Sequence, residues 1–391
     1  MISKPELTTI AKRHVFYLSG FDPRGASFYH RLYQEEAAKQ ANLLGSEINV
    51  GERKRIDQHC HHWSINANWS GAHKGKQAVL TDYFFLNWDD IVRQYWNKNL
   101  IKLILTSIPS YFGYMRCGAF SKIAQSYRGP LFSAWYPFLY LIVLLMLSGV
   151  LAALSNFVLT GSLQLIPRLI LAITLFGACL TVGVRLANQW GVFWLLRTYL
   201  FVYQMGLSNS SILLSRIKHF IEIIKEKQQS DPADEVLVIG HSVGSIVAVH
   251  LVSMLAEQYP HLASKVKLVT LGQCVPLQAG MPQAKSLNQH LESLKNQHVV
   301  EWMDCLAKAD SLAFFSDNQL CDTKSRFPIV KIVRFFHLFH PKTYRSIKRN
   351  KLRMHFQYLM ATELIGNYDY FTMTTGALPL IVCNEELNHA L

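Results

Sequence analysis

One short run in the chain could do nucleophilic chemistry: Gly240-His241-Ser242-Val243-Gly244. A G-x-S-x-G spacing fits a sharp strand-to-helix bend, the nucleophile elbow, which pushes a serine hydroxyl clear of its own backbone. In such a bend Ser242 holds a strained backbone at positive φ. Gly240 and Gly244 lack the Cβ atoms that would clash in so tight a turn. The helix that follows starts with unpaired N–H groups and a positive dipole end, both suited to a developing oxyanion. His241 is a poor base for its neighbour, because adjacent residues in this turn point apart.

The elements that must position the serine are legible on either side. Glu235–Ile239 is a short, β-branched apolar run after Asp231-Pro232, and reads as a strand buried on both faces. Ser245 to Leu255 reads as a buried helix. A serine in this setting also needs a base within hydrogen-bond reach, so a histidine must come from elsewhere in the chain.

With that strand, bend and helix in place, the chain resembles the α/β-hydrolase superfamily, and the pentapeptide has the form seen in lipases and esterases. The resemblance covers about 1–110 and 230–391. It implies an α/β fold: a mostly parallel sheet with helices on both faces. It also implies the chain order serine, acid, histidine. Lys265–Leu271 and Val299–Met303 read as the next two strands, and the family places its acid in the loop after the second. The resemblance favours Asp310, with Asp304, abutting the strand end, as the alternative acid. His355 is the expected base. His337 and His340 lie in a basic aromatic stretch, and His389 is close to the end of the sequence. The acid would accept the imidazole Nδ1–H and fix its tautomer.

The same resemblance places a second oxyanion donor in the loop after an earlier strand. His14–Ser19 reads as that strand, so the backbone N–H of Phe21 is expected to join that of Val243. The chain has Ser19-Gly20-Phe21 where the family commonly has His-Gly. The implied reaction is ester cleavage through an acyl-enzyme, and a thioesterase or acyltransferase using the same triad stays open beside it. So does a non-catalytic protein on a hydrolase scaffold. There is no P-loop or dinucleotide fingerprint, and no cofactor is expected. His59-Cys60-His61-His62 invites a metal reading, but only alternate residues share a strand face, and none is expected there.

Composition adds a location. Of 391 residues, 50% are hydrophobic and only 17% charged, which excludes a disordered chain and is unusual for an ordinary soluble one. No charged residue occurs from Gly129 to Pro167. Within that window Leu131–Leu154 is long enough to cross a bilayer core of ~30 Å as a helix. A second run, Leu163–Val184, carries only Arg168. Arg116, Lys122 and Arg128 precede the pair, Arg185 and Arg197 follow it, and the link between has no Lys or Arg. The positive-inside rule then puts both flanks, and the hydrolase domain, in the cytoplasm. The cysteines, seven and scattered, are expected to be reduced thiols there. Residues 1–13 have no apolar h-region, and no cleaved signal peptide is expected.

The expected organisation is therefore 1–128 and 207–391 as two parts of one hydrolase domain, with 129–206 as a transmembrane hairpin and membrane-surface segment. Within the last part, residues 324–353 carry Lys324, Arg326, Lys331, Arg334, Lys342, Arg345, Lys348, Arg349, Lys351 and Arg353 with no acid among them. Phe327, Ile329, Ile332, Phe335, Phe336 and Phe339 are interleaved, which reads as an interfacial segment meeting anionic headgroups. These charges account for most of the formal net charge of +13. No zinc-finger spacing, RNP motif or helix-turn-helix accompanies them, so nucleic acid is not an expected partner. The helix from Asp89 is expected to reach Ser107, before Pro109. The aromatic stretch 189–206 is expected to lie on the membrane as a lid.

Overall fold

Alternation of period two along the central strands splits the side chains between two cores. In the strand Lys12–Leu18, Phe16 and Leu18 join one core while Val15 and Tyr17 join the other. Val236 and Val238 face one side of the sheet, and Leu237 and Ile239 face the other. Both faces must then be covered, and in this computed structural model helices cover both. It describes residues 9–71, 75–126, 128–207, 211–297, 299–315 and 328–389.

The strands are β1 (Lys12–Leu18), β2 (Glu47–Val50), β3 (Lys54–Arg55), β4 (Cys60–Gly71), β5 (Gly75–Leu86), β6 (Glu235–His241), β7 (Val266–Leu271), β8 (Glu301–Leu306) and β9 (Ile329–Ile332). The sheet runs β2-β4-β5-β1-β6-β7-β8-β9, with β3 paired to β4. From β5 to β9 every pairing is parallel, and the antiparallel pairs lie at the β2–β4 end. This is the mostly parallel, α/β-hydrolase-like sheet that the resemblance implied. Parallel strands end together, so the loops after β1, β6, β7 and β8 open on one edge, where ligand sites of open α/β sheets lie.

The helices α1 (Gly25–Leu44), α2 (Asp89–Tyr95), α3 (Leu100–Arg116), α4 (Ala119–Ser126), α5 (Arg128–Val158), α6 (Leu165–Gln189), α7 (Val192–Leu207), α8 (Ser211–Ser230) and α9 (Gly244–Gln258) precede or flank the elbow. The helix expected from Asp89 to Ser107 is in fact two. It breaks after Tyr95 and restarts where Asn99 caps α3 by accepting from the Lys102 N–H at 3.0 Å. Pro109 lies inside α3, on its exposed side.

α5 and α6 are long and apolar enough to cross a membrane, and only 11% of each apolar window is buried. They pair closely: a Cβ on Gly183 would sit 2.0 Å from Leu144 Cδ1, and Tyr140 OH donates to Gly183 O at 2.8 Å. Hydroxyls along them turn inward. Ser148 donates to Leu144 O, and Thr174 and Thr181 to Ile170 O and Gly177 O, which leaves an almost wholly apolar exterior.

Two expectations are corrected here. The stretch 189–206 is no surface lid: α7 is buried along most of its length, among α3, α5 and the loop after β1. An aromatic, nearly uncharged helix suits a protein interior as well as a lipid surface, and composition does not distinguish them. In the basic segment, Phe335 and Phe339 are buried in the second core, and the Lys331 ammonium is buried too, donating to Asn384 Oδ1 at 2.6 Å. Arg334, Lys342, Arg345, Lys348 and Arg349 remain exposed, as does Phe336. Lys324, Arg326 and Phe327 lie outside the described residues.

Candidate active site

β6 ends at His241, and the chain must then reverse into α9 within two residues. Ser242 takes φ +55°, the single non-glycine positive φ among the described residues. For an L-residue that conformation is costly and persists only where the surroundings enforce it. The neighbours leave no space for anything but glycine on either side. A Cβ on Gly240 would lie 2.6 Å from Ser245 Cα, and one on Gly244 would lie 2.4 Å from both Leu18 O and Ser19 O. Ser242 N–H donates to Leu271 O at 2.9 Å, which ties the bend to the end of β7.

The loop after β1 crosses directly over the serine. A Cβ on Gly20 would lie 2.9 Å from Ser242 Cβ and 3.4 Å from its Oγ. Asp22 N–H turns back to Gly20 O at 2.8 Å, and Trp88 and Trp194 hold the loop through their indole N–H groups, on Ser19 O and Phe21 O. The backbone N–H groups of Phe21 and Val243 have no hydrogen-bond partner among the described residues.

His355 and Asp310 meet beside Gly272, which follows β7, with the His355 ring against His241. Asp310 follows β8 by a turn, with its N–H on Ala307 O at 3.0 Å. Its Oδ2 accepts from His355 Nδ1 at 2.8 Å, and its Oδ1 accepts from the Leu312 N–H at 2.9 Å. Both side chains are enclosed, at 0% and 1% exposed, and His355 Nε2 is buried with no hydrogen-bond partner. With a carboxylate on Nδ1, that nitrogen carries the proton and Nε2 is left as the acceptor. Ser242 itself is 3% exposed, its Oγ 3.8 Å from Cys274 Sγ. Burial pushes the Cys274 thiol up to about 12, so it stays protonated and does not compete as a nucleophile.

Asp304, the alternative acid, lies elsewhere. It is the fourth residue of β8 rather than a loop residue, and its carboxyl accepts from Thr270 Oγ1 at 2.7 Å and from the Gln273 amide. Burial raises its pKa to about 7 in spite of those bonds. His241 also has a part that its position in the motif did not suggest. Its Nε2–H donates to the His355 backbone carbonyl at 3.0 Å, and the two rings lie 4.9 Å apart. Burial, reinforced by the neighbouring His355, lowers its pKa to about 3, so it is a neutral donor over the working range. Of the other histidines considered, His337 and His340 are exposed.

Three residues that the sequence reading passed over belong to this site. Gly272 sits at φ +52°, and a Cβ there would press on Tyr358 Cε2 at 2.7 Å, Asp310 Oδ2 at 3.2 Å and His355 Cε1 at 3.3 Å. A glycine directly after a predicted strand was a usable signal for it. Tyr358 accepts the Ala307 N–H at 2.9 Å and packs beside the acid. Trp194 stands 6.4 Å from the His355 ring, and nothing local in the sequence points to that. The four-residue run His59–His62 does not converge. His62 bonds to Asp82 at 2.7 Å, and His59 lies against His219. His14, Asp82 and Asp231 are spaced to hold a cation, but Lys227 already bridges the two carboxylates at 3.1 and 2.7 Å.

No curated protein and no solved structure matches the chain. Residues 197–311, which carry the elbow with Ser242 and the turn with Asp310, match the family model described as lipase (class 3), and in that part the chain is similar to ester hydrolases of the α/β-hydrolase type.

Proposed function

We propose that this chain is a membrane-anchored serine hydrolase that cleaves a carboxylic ester of a lipid or other long-chain acyl substrate. The observation that carries the reading is the conjunction at one sheet edge: a serine at φ +55°, and an imidazole whose Nδ1 is held by a buried carboxylate while its Nε2 is free. The apolar helices α5 and α6 and the class 3 lipase likeness support the lipid part.

Ser242 Oγ attacks the ester carbonyl carbon as His355 Nε2 takes its proton. Asp310 holds the Nδ1–H and stabilises the imidazolium that forms. The carbonyl oxygen becomes an oxyanion, which the N–H groups of Val243 and Phe21 would receive; one such donor is worth ~10²–10³ in kcat. Collapse breaks the bond to the alcohol oxygen, which leaves with the proton from His355. Water then attacks the acyl-serine, giving a proton to His355; the bond between the acyl carbon and Ser242 Oγ breaks, the imidazolium returns that proton to Oγ, and the carboxylic acid departs.

In this reading 1–128 and 207–391 form the hydrolase, and 129–206 is an insertion whose last helix, α7, folds back onto the body. The hairpin spans the bilayer with both flanks cytoplasmic, and the exposed cations between 334 and 349 face anionic headgroups. No nucleic acid, metal or cofactor takes part. The test is a fluorophosphonate probe on detergent-solubilised protein: it should label the native chain and not Ser242→Ala. Absent labelling, or labelling that survives the substitution, refutes the serine hydrolase.

A further inference from the structure

A cleft of ~490 Å³ opens beside the site, and its walls are continuous with those of the site. Asp22, which follows the oxyanion-loop residue Phe21, lines it, and so does Phe356, which follows His355. Trp194 forms the partition: it lines the cleft, donates to Phe21 O at 3.1 Å and faces the His355 ring.

The charge in this cleft is one-sided. Arg24, Arg197 and Arg353 line it against a single carboxylate, Asp22. That carboxylate is already taken. Arg24 forks onto it with bonds of 2.6–2.8 Å, and Tyr29 OH donates to it at 2.9 Å. Arg197 and Arg353 have no carboxylate partner among the described residues. Arg197 is only 8% exposed. It stacks 4.9 Å over the Trp96 ring and gives Nε–H to Asn97 O at 2.9 Å, which orients the guanidinium and leaves both Nη groups without a protein partner among the described residues. Desolvation depresses its pKa, as expected of a buried cation lacking a counter-ion. The Nη groups are thus left to the cleft, where a ligand's oxygens can complete them. A planar fork is matched by the oxygens of a phosphate.

The position of the cleft says where such a phosphate comes from. Asn188 and Gln189, the last two residues of α6, form part of its lining. It therefore lies where the hairpin would leave the hydrocarbon, at headgroup depth. We propose that this cleft binds the anionic, phosphate-bearing headgroup of the lipid whose ester Ser242 attacks. The proposal rests on the hydrolase reading for its substrate, but the binding can be tested without turnover.

The experiment uses full-length Ser242→Ala protein in neutral detergent, titrated by calorimetry with short-chain phosphatidylglycerol, phosphatidylcholine and diacylglycerol carrying identical acyl chains. Phosphatidylglycerol should bind about tenfold or more tightly than diacylglycerol, which lacks the phosphate, as expected for charged hydrogen bonds, and more tightly than phosphatidylcholine, whose fixed ammonium cancels the headgroup's net charge. Arg353→Gln on the same background should remove that preference. Arg197→Lys, which keeps the charge and loses the fork, should reduce it. Lys265→Gln, at the opposite end of β7, removes a charge from the protein and should leave the preference intact. Equal binding of the three lipids overturns the proposal, as does a preference that Lys265→Gln lowers as much as Arg353→Gln. If glycerol 3-phosphate binds as well as phosphatidylglycerol, the site is one for a soluble phosphate, and the lipid headgroup is excluded. Turnover of diacylglycerol by the native chain reports on the hydrolase reading separately, so the two can fail independently.

Discussion

The elbow region and the hairpin are both apolar and poor in charge, yet they end in opposite surroundings. α9, behind the elbow, is enclosed on nearly every side, with Ile246, Val247, Ala248, Val249, Leu251 and Val252 at 0% exposure. α5 and α6 leave most of their side chains uncovered, with Leu139, Ile142, Leu145 and Ile173 among those exposed. Apolar composition therefore states only that a segment must leave water. Whether protein or lipid receives it depends on what else packs there. In the proposed function the contrast also separates chemistry from anchorage. Strained backbone and buried charge need rigid surroundings and sit against the sheet, while the hairpin carries almost no polar function.

The comparison is broken most sharply at the serine. Ser242→Ala should lower kcat by ~10⁶, the scale of nucleophile removal in a serine protease, with the melting temperature little changed. Assays on a short-chain ester beside a thermal melt measure both. Asp310→Asn should follow at ~10⁴ by allowing the wrong imidazole tautomer. Near-normal turnover in that variant would detach Asp310 from the chemistry.

An arginine placed in each region sharpens the difference. Val249→Arg buries an uncompensated charge in α9 and should prevent folding, read as loss of soluble or detergent-stable protein. Leu145→Arg should cost only ~2.5–3.5 kcal/mol of membrane insertion and leave the hydrolase body folded. Carbonate extraction reports it: the native chain should stay with the membrane. Native protein released by carbonate would end the integral-hairpin reading.

Smaller effects belong to the residues beneath the proposed triad. Gly272→Ala forces a Cβ into positive φ against Tyr358 and Asp310 and should cost about 1–3 kcal/mol of stability as well as turnover. Asp304 gives a pH signature. Its carboxyl is raised in the fold, to about 7 against an unfolded value near 3.9, so the native state binds the extra proton between those values. Its contribution to stability is then fully present below about pH 4 and is lost as the pH rises toward about 7. Asp304→Asn should flatten denaturant midpoints across that window; an unchanged slope would show that the carboxyl titrates normally.

The local features were the legible ones. The bend at 240–244 is partly a steric demand among neighbours, where a Cβ on Gly240 would strike the backbone of Gly244 and Ser245 at 2.6–2.7 Å, and that part is written in consecutive residues; the demand at Gly244 comes from Leu18 O and Ser19 O of the distant β1 end. The apolar lengths of α5 and α6 are likewise properties of continuous sequence. The meeting of Asp310 with His355 could be placed only through chain order in similar proteins, and the choice between Asp304 and Asp310 turned on where β8 ends. Asp304 falls inside the strand with its carboxyl on Thr270 and Gln273, and Asp310 falls where the loop turns back.

Three things were decided by tertiary structure alone. α7 is buried over the candidate site rather than laid on a surface, a choice that composition cannot make because removing its aromatic surface from water is favourable in either host. Lys331 is buried on Asn384 while its basic neighbours stay outside, because the parallel register of β9 on β8 sets which face it occupies. Arg24, Arg197 and Arg353, far apart in sequence, line one cleft because the loop after β1, the first half of α7 and the helix Lys351–Phe356 converge there. Sequence determines what each segment must avoid or hide. Which distant groups then share a dielectric boundary is settled only when the strands have ended and the loops have turned.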